Sequence, residues 1–136
     1  PEETSKRILD GWLYTRDLAV VDNEGYVTIV DRKDDMIITG GENVYSIEVE
    51  DVLYSFPGIL EAAVIGLPDS IWGEKVTAVV VAKEGNELFE EDVIRYCKDK
   101  IAHFKAPKKV IFTEQLPKTG SAKICKYKLR EMYGEN

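Results

Sequence analysis

The chain has 136 residues, 44% hydrophobic and 32% charged, which suffices for one sizeable core and excludes a disordered tail. Its 25 acidic residues outweigh 18 basic ones, leaving a formal net charge of -7, the wrong sign for a surface that holds a nucleic-acid backbone. No apolar run approaches the roughly 18 residues of a membrane-spanning helix. The start, Pro-Glu-Glu-Thr-Ser-Lys-Arg, has no signal-peptide pattern, and a chain that opens on Pro1 reads as a fragment. Cys97 and Cys125 have neither CxxC spacing nor a disulfide-dense framework, so they read as structural thiols of a reducing, cytoplasmic compartment.

Glu2 to Leu9 runs from acidic to basic, the order that the helix dipole favours, and predicts a short helix. Leu18 to Val21 and Tyr26 to Val30 are apolar, β-branched runs on either side of Asp22-Asn23-Glu24-Gly25, a turn sequence that predicts a β-hairpin. Asp31 to Asp35 interrupts the apolar pattern, Met36 to Thr39 resumes it, and Gly40-Gly41-Glu42-Asn43 breaks it again. From Ser46, residues Val49, Val52, Leu53 and Phe56 follow helical spacing, with Glu48, Glu50 and Asp51 in the first turns and Pro57-Gly58 at the end. Two β-rich runs follow, Ile59 to Leu67 and Lys75 to Ala82, separated by the segment from Pro68 to Glu74. A helix is predicted from Glu90 to Ile101 with Val93, Cys97 and Ile101 on one face, then a strand from Lys109 to Thr113 and a terminal helix from Tyr127 to Tyr133. Together these predict an α/β (α+β) fold in which a small mixed three-stranded sheet carries helices and follows a β-hairpin.

The chain lacks a phosphate-binding P-loop, an HExxH motif, a GxSxG elbow and any metal-spaced cluster. His103 has no cysteine or carboxylate spaced with it as a base or ligand and reads as an ordinary loop residue. Lys123 stands out: Gly120, Ser121 and Ala122 give its loop freedom and little bulk, so its long stem can carry an ammonium towards an anionic substrate. Its plain alternative is a solvated surface lysine.

Four segments, Trp12 to Leu18, Asp31 to Asp35, Gly40-Gly41-Glu42-Asn43 and the Lys123 loop, occur in the order and approximate spacing of the acyl-adenylate-forming enzymes, which include acyl-CoA synthetases, aryl-CoA ligases and luciferase. Over nearly its whole length the chain resembles their C-terminal lobe, preceded by the last piece of the large N-terminal domain. The resemblance implies that residues 1–33 end the large domain and carry the ribose-binding segment. Residues 34–136 would then form a mobile lobe with hinge, CoA face and catalytic lysine.

The implied activity is an AMP-forming carboxylate–CoA ligase acting on a fatty or other carboxylic acid. Its co-substrates are ATP, with Mg bound mainly by the missing domain, and CoA; no metal site is expected in this chain. Alternatives are the lobe of a carrier-protein-loading or luciferase-like adenylating enzyme, or a non-catalytic module that binds nucleotide or a partner. The fragment alone is expected to form no acyl-adenylate, and its exposed apolar residues could make it self-associate.

The resemblance assigns roles residue by residue. Asp17 corresponds to the carboxylate that accepts the ribose hydroxyls, and Arg32 to a guanidinium that contacts ribose and phosphate. Asp34 corresponds to the hinge, and Lys123 to the lysine that bridges the substrate carboxylate and the ATP phosphates. Gly40 and Gly41 correspond to the double glycine beside the pantetheine tunnel, while Trp72, Phe104 and Lys108 fall where CoA-using relatives contact the nucleotide. Ala106 sits where some relatives have an arginine. Relatives usually read Thr-Gly-Asp where this chain reads Thr15-Arg16-Asp17, so a positive φ at Arg16 would be strained and is expected to weaken nucleotide binding.

Overall fold

In the computed structural model, which describes residues 2–134, the chain divides between Asp34 and Asp35 into two units, Pro1–Asp34 and Asp35–Asn136. Asp34 is the last residue of the first unit, where Arg16 Nε donates to its Oδ2 at 3.1 Å.

The first unit starts with α1 (Glu2–Arg7), shorter than the predicted helix. Ile8 and Leu9 leave the helix to form β1 (Ile8–Leu9), antiparallel to β2 (Trp12–Leu13). The turn between them is Asp10-Gly11, with φ of 52° and 82°. Two successive positive φ angles match the twist of a two-residue hairpin, for which Asp-Gly is well suited. The larger hairpin pairs β3 (Asp17–Val21) with β4 (Val27–Arg32), and places Asp17 opposite Arg32. Its turn is organised by Asp22, whose Oδ1 accepts from the N–H groups of Glu24 at 2.9 Å and Tyr26 at 3.0 Å. One face of this hairpin leaves Val21, Val27 and Ile29 exposed, and the other leaves Val20 exposed.

The second unit holds the three predicted strands, joined by two more. β5 (Ile37–Thr39) and β6 (Glu42–Val44) form a hairpin around Gly40-Gly41, whose φ values of 58° and 82° suit glycine. After α2 (Ser46–Tyr54), β7 (Ile59–Asp69) and β8 (Gly73–Ala82) pair antiparallel from Ile59 opposite Ala82 to Asp69 opposite Gly73. The predicted loop from Pro68 to Glu74 therefore shrinks to Ser70, Ile71 and Trp72. After α3 (Glu90–Lys100) and a 3₁₀ turn at His103–Lys105, β9 (Lys109–Phe112) joins the free edge of β8 in parallel. β5 meets that edge at Thr39 opposite Gly73, which makes a five-stranded mixed sheet. The chain ends its described part in α4 (Lys126–Tyr133).

β7 and β8 are buried on both faces, which explains their near-continuous apolar sequences. Ala62, Val64, Val76, Ala78 and Val80 meet Val49 and Leu53 of α2 and Val93 and Cys97 of α3. The alternate residues Ala63, Ile65, Leu67, Val79 and Val81 meet Leu116 and Leu129 of the C-terminal segment.

Leu53→Ala and Leu129→Ala should each destabilise the chain by about 2–5 kcal/mol in urea unfolding, whereas Trp12→Ala should shift stability by no more than about 0.5 kcal/mol. Trp12 is 74% exposed, and the two leucines are fully buried. Burial pushes the Cys97 thiol up to about 11. A thiol pKa raised on folding contributes stability at neutral pH that is lost as pH rises through about 9 to 11. Cys97→Ala should flatten the fall of stability across that window.

Candidate functional site

Lys123 stands on a tight loop folded back on itself. Lys118 and Ile124 form an antiparallel bridge, Thr119 N–H donates to Lys123 O at 2.7 Å, and Ala122 N–H returns to Thr119 O at 2.9 Å. Cys125 N–H then closes on Pro117 O at 2.8 Å. Small residues permit this turn, and Ala122 takes a positive φ of 64° within it. The loop carries its lysines in two states. Lys118 Nζ lies 2.6 Å from Glu61 Oε1, and Lys126 Nζ lies 2.6 Å from Glu50 Oε1. Lys123 is exposed and makes no ion pair among the described residues.

A groove of about 540 Å³ opens elsewhere in the second unit, lined by Gly40, Trp72, His103, Phe104, Pro107 and Lys108 among others. Its walls come from three places in the chain. The β5–β6 turn supplies Gly40, and a Cβ there would lie 3.0 Å from the Trp72 ring, so glycine lets the indole close onto the backbone. The β7–β8 turn supplies Trp72. Asp69 Oδ1 accepts from the N–H groups of Ile71 and Trp72, each at 2.9 Å, and Trp72 O accepts from Gly40 N–H at 2.8 Å. Those two N–H donors, that of Trp72 foremost, hold the Asp69 carboxyl below its ordinary range. The 3₁₀ turn supplies His103 and Phe104 and is tied to α2 by Lys105 Nζ, 3.1 Å from both oxygens of Glu48.

Lys108 Nζ sits 4.6 Å from the centre of the Trp72 ring, within cation–π range. Ala106 is buried in the groove wall and brings no charge. Thr39 Oγ1, also in the wall and buried, has no hydrogen-bond partner among the described residues. Gly41 shapes the turn and is not among the groove residues.

In the first unit, Arg32 Nε and Asp17 Oδ1 are 3.1 Å apart across the β3–β4 ladder. Arg16 takes φ of 67°, a conformation that costs a side-chain-bearing residue more than glycine, yet it leaves Asp17 in register with Arg32. Its guanidinium makes a two-point contact with Asp34, and that hydrogen-bonded carboxylate raises the Arg16 pKa further. The structure therefore unites Gly40, Trp72, Phe104 and Lys108 in one groove and Asp17 with Arg32 in one ladder. Sequence reasoning missed Asp69, although its position before a turn was a signal for a side chain that caps backbone N–H groups. It also missed Arg16 as the partner of Asp34, for which no local pattern exists. Among the described residues, no group of three or more His, Cys, Asp or Glu could hold a metal ion.

The family described as AMP-binding enzyme C-terminal domain matches residues 48–123. The chain is 50% identical over 133 residues to long-chain-fatty-acid–CoA ligase FadD13 of Mycobacterium tuberculosis, covering 98% of this chain and 26% of that protein. It is 46% identical to a feruloyl-CoA synthase of Amycolatopsis sp over 134 residues, 98% of this chain and 27% of that one. Among solved structures, ATP-bound MatB from Rhodopseudomonas palustris superposes with a TM-score of 0.89 at 43% identity, over 99% of this chain and 27% of that chain. The chain thus spans about a quarter of the length of these relatives.

Gly40→Ala and Gly41→Ala should both carry the backbone cost of a positive φ, about 1 kcal/mol, but only the first also pushes on Trp72. In a Trp12→Phe background, indole fluorescence should shift with Gly40→Ala and stay unchanged with Gly41→Ala.

Proposed function

Because this chain belongs to the AMP-binding enzyme C-terminal domain family, we propose that it is the C-terminal part of an AMP-forming ligase that joins a carboxylic acid to CoA. One observation carries the choice of CoA: Gly40, Trp72, Phe104 and Lys108, distant in sequence, line one groove. Its components fit a nucleotide thiol with a slender amide-bearing arm. An aromatic wall offers faces for a base, Lys108 supplies a cation for phosphate, and the glycine turn lets a chain run close to backbone. The Thr39 hydroxyl, without a hydrogen-bond partner among the described residues, offers one that such an arm can complete. Since Lys108 already lies over the Trp72 ring, base and cation would share that aromatic rather than use it independently.

In the proposed reaction a carboxylate oxygen attacks the α-phosphorus of ATP and pyrophosphate leaves. The CoA sulfur then attacks the acyl carbon and AMP leaves. Lys123 bridges the carboxylate and phosphate oxygens in the first step, where a cation aligns two anions that repel each other. Asp17 accepts from the ribose hydroxyls with the oxygen that Arg32 does not occupy, and Arg32 turns its remaining N–H groups to ribose and phosphate. Asp34 is the hinge between an adenylating and a thioester-forming arrangement.

Residues 1–33 are proposed to complete the large domain, whose packing would cover the apolar hairpin; separated from it, the fragment would self-associate through that face. Mg accompanies ATP and is assigned to the upstream domain. A cytoplasmic location fits the two free, buried thiols. A carrier-protein thiol in place of CoA is the second reading, favoured if the groove takes only the pantetheine arm.

The full-length protein, given ATP, CoA and a panel of carboxylic acids, should yield CoA thioester, AMP and pyrophosphate in equal amounts. Formation of ADP, or of no CoA thioester with any acid, would reject the proposal. Lys108→Met should raise the KM for CoA about tenfold or more and leave ATP–pyrophosphate exchange unchanged, since a charge-assisted contact is worth about 1.5–3 kcal/mol.

A further inference from the structure

Lys126 is a lysine in the first turn of a helix, where the dipole disfavours a cation, and it is largely buried, with 13% of its side chain exposed. Neither condition is comfortable for an ammonium unless something nearby holds it. Two groups of α2 do: Nζ lies 2.6 Å from Glu50 Oε1, itself 16% exposed, and donates to the buried Ser46 Oγ at 2.8 Å. Glu50 Oε1 also accepts from Val64 N–H of β7 at 3.0 Å. One carboxylate thus joins α2, the long strand β7 and the start of α4. The tether grips the chain three residues after Lys123, immediately beyond the Cys125-to-Pro117 bond that closes its loop.

On the other side of the loop Lys118 is held to Glu61 of β7. Two lysines anchored to opposite ends of the loop leave the one between them projecting from a fixed base. A lysine's flexible stem gains little from a mobile base, because a displacement of about 1 Å in a reacting group can cost on the order of 100-fold in rate.

We propose that Lys126 is the positioning residue of Lys123: anchored by Glu50 and Ser46, it fixes the loop from which Lys123 reaches its anion. The catalytic consequence rests on the ligase reading above; the anchoring of the loop does not. In the full-length protein, Lys126→Met should speed amide hydrogen exchange across residues 117–125 tenfold or more, while exchange in 59–69 and 73–82 stays as in the parent. Glu50→Gln should reproduce the loop effect, and Lys126→Arg, which keeps a cation for Glu50, should largely restore protection. In activity, Lys126→Met should lower the kcat of ATP–pyrophosphate exchange about 10- to 100-fold with little change in the KM for ATP, and leave conversion of supplied acyl-adenylate to thioester unchanged. Unchanged loop exchange in Lys126→Met would overturn the proposal, as would faster exchange throughout the second unit or equal loss in both half-reactions, each of which marks a general structural role. A parent protein that forms no acyl-adenylate with any acid would instead reject the ligase reading, and the exchange measurement would still decide the anchor.

Discussion

The antiparallel ladder of β7 and β8 has both faces to cover, and the rest of the second unit is arranged by that requirement. Residues alternate along each strand, so every second side chain turns to α2 and α3 while the others turn to the C-terminal segment. Leu116 and Leu129 are fastened to that second face. Between those two buried anchors Ile124 packs on the same face and Cys125 is buried, while residues 118–123 are all exposed, so the Lys123 loop stands in solvent. The far end of the same ladder sets the groove: β7 and β8 run on until only three residues remain to turn, and Trp72 is one of them.

Charge does a second kind of sorting. Glu50 and Glu61 hold the lysines beside the loop, Glu48 holds the turn that carries Phe104, Lys108 lies over the Trp72 ring, and Lys123 makes no ion pair among the described residues. The passage from one unit to the next follows the same logic. Asp34 is held by Arg16 within the first unit, and Asp35 accepts from Arg130 Nη1 at 3.2 Å within the second. Two adjacent carboxylates are thus each paired with a guanidinium of their own unit.

The helices and long strands were legible in the sequence because their periodicity is set by burial: α2 and α3 repeat at helical spacing, and β7 and β8 are apolar throughout. Short hairpins were less legible. Asp10-Gly11 carried the required turn chemistry, yet two-residue strands give too little alternation to compete with the helical charge pattern before them. β5 was legible in the apolar run from Met36 to Thr39, whereas its three-residue partner β6 was hidden by its brevity. Candidate site residues were named by the family resemblance, and the structure brings Gly40, Trp72, Phe104 and Lys108 into one groove. Glu50 and Arg16 act through distant partners that no spacing rule specifies, whereas Asp69 caps N–H groups two and three residues on, a pattern that its place before the turn signals.

We propose that Lys123 serves the first half-reaction and is withdrawn for the second. Single-turnover kinetics of Lys123→Ala in the full-length protein test it most directly. Acyl-adenylate formation should fall on the order of 100- to 1,000-fold, while acyl-adenylate supplied with CoA should react at the parent rate. Equal loss in both half-reactions, or none in the first, would contradict it.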